Sequence, residues 1–222
     1  MATPPLTERP MRADARRNRE RVLAAALHCF SADGLQAQID DIAARAEVGV
    51  GTVYRHFPTK DALIEALADD YFAHQAEAAR AALEVGDPWE AFSGYIHAAS
   101  DILGENRALA QVIRDRPGMM RDAALRAADQ LGFFDSLGEL IDRAKSAGAL
   151  REDFRLEDIP LIMCSLGSLQ SSTGEYTSWR RQRGIVLDGL RAPGTQPLPD
   201  EPVPALERPS RRPLTGTPRR RG

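Results

Sequence analysis

The 222-residue chain has few cysteines and no long apolar run, and so lacks features that disulfide-rich and membrane proteins require. Its two cysteines, Cys29 and Cys164, are far apart and lie within apolar helical patterns, so neither a disulfide framework nor a zinc site is indicated. We expect both thiols in the core or in a pocket. No apolar run reaches the roughly 18 residues of a membrane-spanning helix, and the first residues lack the apolar stretch of a secretory signal. We therefore expect a globular, cytoplasmic protein that does not associate with membranes.

Catalytic and metal-binding motifs are also missing from the sequence. The four histidines are scattered without ligand spacing, and neither HExxH nor paired CxxC occurs. No GxSxG, Walker or dinucleotide-binding pattern is present, since the glycines at 49 and 51 follow no strand. We expect no catalytic residues, no metal site and no cofactor.

Strand-like alternation is scarce, whereas apolar residues recur at helical spacing along most of the chain. This periodicity predicts an all-α protein of nine or so helices. The predicted helices lie at about residues 14–32, 39–46, 50–56, 60–83, 89–103, 107–115, 119–147, 156–173 and 176–190. From residue 192 onward, eight prolines in 31 residues remove backbone donors and fix φ, so we predict a disordered tail there.

Charge is distributed unevenly along the chain. The net charge of −3 by itself argues against a nucleic-acid partner. Between residues 9 and 21, however, six arginines stand against Asp14 and Glu20, which gives a local charge of +4. Such a run is either a solvated helix face or the electrostatic footprint of a phosphate-binding surface, and the motif that follows decides between them.

The most informative segment is 39–63, IDDIAARAEVGVGTVYRHFPTKDAL. It predicts two short helices separated by the glycine-containing turn of a helix-turn-helix at residues 47–49. Val53 and Phe57 give the second helix its inner face, which leaves its polar residues pointing outward. Hydroxyl, imidazole and guanidinium groups suit a DNA groove because they donate to phosphates and to base acceptors. The predicted DNA-contacting residues are Arg16, Arg17, Gly51, Thr52, Tyr54, Arg55, His56 and Lys60.

From about residue 17 to residue 67 the chain resembles the tetracycline-repressor (TetR) family of bacterial regulators. The resemblance lies in DIA at 41–43, GTVY at 51–54, Phe57, Lys60 and Leu63. It implies a three-helix DNA-binding domain, a long fourth helix that leads into a ligand domain of about six helices, and dimerisation through the last two long helices. The sequence after the turn is similar to a subgroup whose C-terminal domain is called SbtR-like.

Three features depart from the family pattern. Gln38 stands where Ser or Thr usually caps the second helix, while Glu47, Gly49 and Val50 replace the usual turn and third-helix residues. A glycine cap costs only a few tenths of a kcal/mol relative to a hydroxyl cap, so the fold is unaffected. Val50 changes base preference instead, because it offers apolar contact and no hydrogen bond.

The expected domains are a flexible basic arm at 1–13, the helix-turn-helix domain at 14–58, a ligand-binding and dimerisation domain at 59–191, and a disordered Pro/Arg-rich tail at 192–222. Seven apolar residues either line a ligand cavity or belong to the core: Phe92, Ile96, Met119, Met120, Phe133, Phe134 and Met163. Small residues on one side of the eighth helix favour a dimer interface at Leu161, Ser165, Leu166, Gly167, Ser168 and Ser172.

These expectations describe a ligand-responsive transcriptional repressor that binds a palindromic operator as a homodimer, with an unidentified hydrophobic small molecule as effector. Two alternatives stay open. One is a helical small-molecule-binding protein or enzyme with an incidental helix-turn-helix; DNA binding that weakens steeply with salt would exclude it. The other is a protein-interaction module acting through the Pro/Arg tail, which deletion of the residues after 191 would test.

Overall fold

The computed structural model describes residues 8–105, 109, 111–112, 115–172, 179–194 and 196–200, with side chains for 14–103, 109, 111–112, 115–167, 179–194 and 196–200. Within those residues the chain forms nine α-helices and no strand beyond one isolated bridge, so the all-α prediction is confirmed. The helices are α1 Glu8–Asp33, α2 Ile39–Arg45, α3 Val50–His56, α4 Lys60–Leu83, α5 Pro88–Glu105, α6 Pro117–Leu131, α7 Phe133–Ser146, α8 Asp158–Ser172 and α9 Trp179–Leu190.

One sequence-based boundary is wrong. The helix predicted over 119–147 is two helices, α6 and α7, because Gly132 has φ +65°, in the left-handed region that glycine adopts without strain. The helix predicted at 107–115 falls largely outside the described residues. α1 begins at Glu8, within the stretch expected to be a flexible arm.

The first three helices pack around a small apolar core. Val22 and Phe30 of α1, Ile42 of α2, Val53 of α3 and Phe57, which follows α3, are all buried. The turn between α2 and α3 is closed by a hydrogen bond from the Val48 amide to the Ala43 carbonyl, 3.0 Å long. This core fixes the orientation of α3 relative to α1.

α4 connects these three helices, called the head from here on, to the body, which comprises α5 to α9 and the part of α4 that packs on them. Thr59 caps it, since its hydroxyl accepts a hydrogen bond from the Ala62 amide at 3.0 Å. At the other end, Arg143 of α7 donates to the carbonyls of Leu83 and Val85 at 2.6 and 2.8 Å, which satisfies groups that a helix end leaves unpaired. In the body α4 packs against α5, α6 and α7, and α5 packs against α8.

The beginning of the segment predicted to be disordered is hydrogen-bonded to the body. Arg151 donates to the Gln196 carbonyl at 2.5 Å, and the Leu198 amide donates to Asp153 at 2.8 Å. Arg151 also pairs with Asp153, and this contact with the backbone bond from Leu198 holds the pKa of Asp153 well below its usual range. Residues 192–194 and 196–200 thus run beside anchored positions of the body, and residues 195 and 201–222 lie outside the described residues.

Two further observations bear on the sequence-based expectations. Cys29 is buried as expected, but Cys164 on α8 is exposed. In the described part of the chain, no helix is long and apolar enough to cross a membrane.

Candidate nucleic-acid interface

The outward side of α3 carries the polar residues predicted to contact DNA. Val53 is fully buried, so the residues that flank it on the helix turn away from the head's core. Arg55 is exposed, and 48% of the Tyr54 surface is accessible. Thr52 is half-buried at the base of this surface. The arrangement presents a guanidinium and a phenol on one short helix.

The start of α3 has an open backbone. Gly49 caps the helix in an extended conformation, and its carbonyl accepts from the Thr52 amide at 2.8 Å. Gly51 is exposed, and nothing lies within 4 Å of the point where a Cβ would stand. Likewise Gln38 caps α2 without a side-chain bond to the helix, as its departure from Ser or Thr implies.

His56 is less accessible than the sequence pattern indicates. Its ring is tilted beside that of Phe57 with 6.3 Å between centroids, and its Nε2 is buried without a hydrogen-bond partner among the described residues. A DNA contact by His56 therefore has to come from the part of the ring that stays accessible.

Arg16 and Arg17 lie on α1 and are mostly exposed. Arg16 pairs with Glu20 at 3.4 Å, one helical turn away, and Arg17 pairs with Asp14. Exposed pairs of this kind contribute at most about 1 kcal/mol. Both guanidinium groups can therefore exchange their carboxylate partner for a phosphate at small cost.

Lys60 is held by the protein itself. Its Nζ donates to the Ala37 carbonyl at 2.7 Å and lies 5.8 Å from the centroid of the Phe30 ring. The ammonium thus ties the start of α4 to the segment before α2, a role that sequence reasoning missed, since it assigned Lys60 to phosphate.

A second internal tie crosses the helix-turn-helix. Arg21 of α1 donates to the carboxylate of Glu47 at 2.7 Å and approaches the Glu47 carbonyl at 3.5 Å. Glu47 has φ +51°, an uncommon conformation for a residue with a side chain. The Arg21 guanidinium thus contacts both the side chain and the backbone of the residue that adopts this conformation. The departure at Glu47 signalled an altered turn, but its partner 26 residues away was not predictable from sequence spacing.

The head meets the body through the segment between α5 and α6. Leu109 and Val112 enclose a small apolar gap together with Phe30 of α1 and Ile64 of α4. The amide oxygen of Gln111 accepts from the Leu35 amide at 3.2 Å. The same segment ends at Arg116, which pairs with Asp61 at 2.5 Å. This junction links the body directly to α1 and to the start of α4.

The seven candidate ligand-binding residues mostly belong to the packed interior. Met119 is half-buried, while Phe92, Ile96, Met120, Phe133, Phe134 and Met163 are buried. Phe92 meets Phe154 edge-on at 5.5 Å, and Phe133 lies 5.8 Å from the Phe72 ring. Of the seven, Phe134 also lines an open surface groove beside Pro88 and Arg143. The described side chains thus fit the core role that apolar residues at helical spacing usually have.

The candidate dimer residues divide into two groups. Leu161 is 50% exposed and Ser165 is half-buried, but Leu166 and Gly167 are buried against the chain's own core. These two cannot supply an exposed interface, because α8 turns that side inward. The side chains of Ser168 and Ser172 lie outside the described residues. On α9, which packs against α8, Ile185 is 65% exposed, a residue that sequence reasoning did not single out.

Two parts of the chain match known family models. Residues 22–67 match the model described as bacterial regulatory proteins, tetR family, and residues 87–192 match the model described as transcriptional regulator SbtR-like, C-terminal domain. The expected similarity to the SbtR-like subgroup is thereby confirmed.

Individual proteins are similar over most of their length. The HTH-type transcriptional repressor KstR of Mycolicibacterium smegmatis is 33% identical over 155 residues, which are 67% of this chain and 73% of that protein. A TetR transcriptional regulator from Streptomyces coelicolor has 31% identity and a TM-score of 0.55, covering 78% of this chain and 98% of that one. A TetR transcription regulatory protein from Mycobacterium vanbaalenii has 36% identity and a TM-score of 0.52, covering 82% and 99%.

Proposed function

Because this chain belongs to the TetR family of bacterial transcriptional regulators, we propose that it is a repressor that binds a palindromic operator as a homodimer and responds to a small molecule held in its body. Family membership sets aside the enzyme alternative. The observation that carries the proposal is the exposed polar side of α3, held on a fully buried Val53. A regulator of transcription acts on the chromosome, so we place it in the cytoplasm.

The proposed division of the chain follows its packing. The helix-turn-helix unit is 14–58, the regulatory and dimerisation unit is 59–191, and the tail begins at 192. Residues 1–13 are proposed as the basic arm. Support for this division comes from the packing of α1, α2 and α3 on one another and from the capped start of α4 at Thr59.

DNA contact is proposed for the outer side of α3 and its flanks. Arg55 reads a base edge, since a guanidinium bridges the two guanine acceptors of the major groove. Tyr54, Thr52 and His56 contact the sugar-phosphate backbone, which fixes register and orientation. Arg16 and Arg17 add phosphate contacts from α1, and Gly51 leaves the backbone at the start of α3 open to a phosphate.

A dimer is proposed through α8 and α9. Leu161 and Ile185 are the two most exposed large apolar side chains in the described part of the chain, and they lie on helices that pack against each other. Apolar surface of this kind is stabilised by burial against a second copy. Two copies place two recognition helices at half-sites about 34–36 Å apart, or at a related spacing, on one face of the duplex.

Repression is proposed because a relative with this sequence similarity, KstR, is named a repressor. Control by an effector requires that the ligand bind two conformations with different affinity. The junction at Leu109, Gln111 and Val112 offers the route, since a shift of this segment moves α1 and the start of α4 together. Movement of α4 then changes the separation of the two recognition helices.

Selection of bound DNA from a random pool by the purified full-length protein tests the proposal. We expect a palindrome to be recovered, with affinity that falls steeply as salt rises. Recovery of no preferred sequence, or binding that is insensitive to salt, would contradict it. A variant with Arg55, Tyr54 and Thr52 replaced by alanine is the matched control, because these substitutions leave the buried side of α3 intact.

A further inference from the structure

We infer that the body holds a ligand site built around the side-chain amide of Gln75 and the phenols of Tyr71 and Tyr95, and that this site takes a neutral, largely apolar molecule bearing a carbonyl or hydroxyl group. The regulatory meaning of the site rests on the proposed function. Its existence and its ligand class rest on the residues themselves.

The three polar side chains are all buried inside the body. Tyr71 and Gln75 are one helical turn apart on the buried side of α4, and α5 packs on α4 with Tyr95 buried in the same interior. Burial raises the pKa of the Tyr95 phenol well above its usual range, and the nearby Tyr71 phenol adds to the shift. Burial and the neighbouring Cys164 thiol of α8 likewise raise the pKa of Tyr71. Both phenols thus stay neutral and offer an O–H donor each.

Gln75 is the decisive residue. Only 1% of its surface is exposed, and both its Nε2 and its Oε1 lack a hydrogen-bond partner among the described residues. Buried amide groups are almost always paired, because leaving them unpaired is destabilising. An apolar residue at this position of α4 would pack without that cost. The unpaired donor and acceptor are the groups that a bound molecule would satisfy.

The surroundings favour a neutral ligand. Small side chains border the polar residues along their own helices, with Ala79 on α4 and Ala91 and Ala99 on α5. Among the described residues, the buried charged side chains are Arg151 and Arg183, and each already pairs with an aspartate. A charged headgroup would therefore be buried without a counter-charge, which is strongly unfavourable. A carbonyl or hydroxyl group needs only the amide and the phenols.

Calorimetric titration of the full-length protein with three probes of one chain length tests this inference. The probes are decanol, the methyl ketone of the same length, and decanoate. We expect the two neutral probes to bind, with decanoate about tenfold weaker or more. In Gln75→Leu the loss of one hydrogen bond weakens both neutral probes about tenfold. The same variant, without ligand, melts about 2–4 °C higher, because an unpaired buried amide has been removed.

Gln75→Met provides a second variant of similar length should the leucine variant fold poorly. Gln182→Leu on α9 is the control, since its Oε1 is also buried without a partner but lies on a different helix. The inference is overturned if neither neutral probe binds, if decanoate binds most tightly, or if the Gln75 variants bind the neutral probes as well as the parent does. Because the titration contains no DNA, its result is independent of whether the chain recognises an operator.

Discussion

At the scale of single residues, we expect α3 to divide base reading from backbone contact. We expect Arg55→Ala to relax sequence preference at one symmetric pair of operator positions and to cost about 1–3 kcal/mol per half-site, because a bidentate guanidinium contact to one base is lost. Selection from a random pool, repeated with the variant, measures this. Arg45→Ala is the charge-matched control, since Arg45 is exposed on α2. Uniform weakening across all sequences would instead make Arg55 a phosphate contact.

Lys60 illustrates a residue whose contact inside the protein competes with a contact to DNA. Its Nζ donates to the Ala37 carbonyl at 2.7 Å beside the Phe30 ring. Lys60→Met keeps the aliphatic stem but leaves that carbonyl unpaired, so we expect the melting temperature to fall by about 2–4 °C for a loss of about 1 kcal/mol. We expect the salt dependence of operator binding to stay as in the parent. A slope lower by about one unit would show that Lys60 reaches a phosphate.

At the scale of helices, we expect alanine substitutions at Gly132 and Gly138 to change the free energy of unfolding in opposite directions. Gly132 has φ +65° between α6 and α7, so Gly132→Ala forces a side chain into the left-handed region at a cost of about 1–2 kcal/mol. Gly138 lies inside α7 with nothing within 4 Å of an added Cβ. Gly138→Ala should therefore stabilise by up to about 1 kcal/mol. Thermal unfolding of the two variants measures both signs.

If Gly138→Ala is destabilising, the groove beside this position requires that no side chain be present there. A neutral Gly132→Ala would mean that the junction of α6 and α7 relaxes into a continuous helix, as the sequence pattern predicts.

The sequence predicts helices well where it also carries their end signals. The predicted bounds of α3 and α4 match those of the structure, because glycine precedes one and Thr59 caps the other. Gly132 could not be distinguished from a tolerated helical glycine, since apolar periodicity continues on both sides of it. Local spacing was also insufficient in α8. Its small residues did not indicate that Leu166 faces the chain's own core.

The sequence predicts more of the candidate site in the head than in the body. In the head, a linked local motif placed α3 and its exposed polar residues directly. The ties of Arg21 to Glu47 and of Lys60 to Ala37 span 26 and 23 residues, and nothing in local spacing indicates such partners. In the body, no local pattern distinguishes Gln75, because its burial depends on packing between helices that are distant in sequence.

At the scale of the whole molecule, α4 joins the two functions. It packs against α1 in the head and against α5, α6 and α7 in the body, and Arg126 of α6 donates to Asp69 of α4 at 2.8 and 2.6 Å. Tyr71 and Gln75 lie on the same helix, about three and about four turns after its start. A ligand that pairs with Gln75 therefore acts directly on the element that begins beside the recognition helix.

The dimer prediction belongs to this scale as well. We expect Leu161→Asp combined with Ile185→Asp to give a folded monomer, because both side chains are more than a third exposed in the single chain and a charge there is tolerated. In a dimer built on α8 and α9, the same charges would be buried without partners, which strongly disfavours association. Operator affinity should fall with it, since a lone head retains only half of the contacts.

Light scattering measures the mass, an operator titration measures the affinity, and circular dichroism confirms that helix content is retained. Leu131→Asp is the control, because Leu131 is an exposed apolar residue at the end of α6, which packs against α4 and α7. That variant should remain dimeric and bind the operator normally. If the double variant also stays dimeric with unchanged affinity, the interface lies elsewhere.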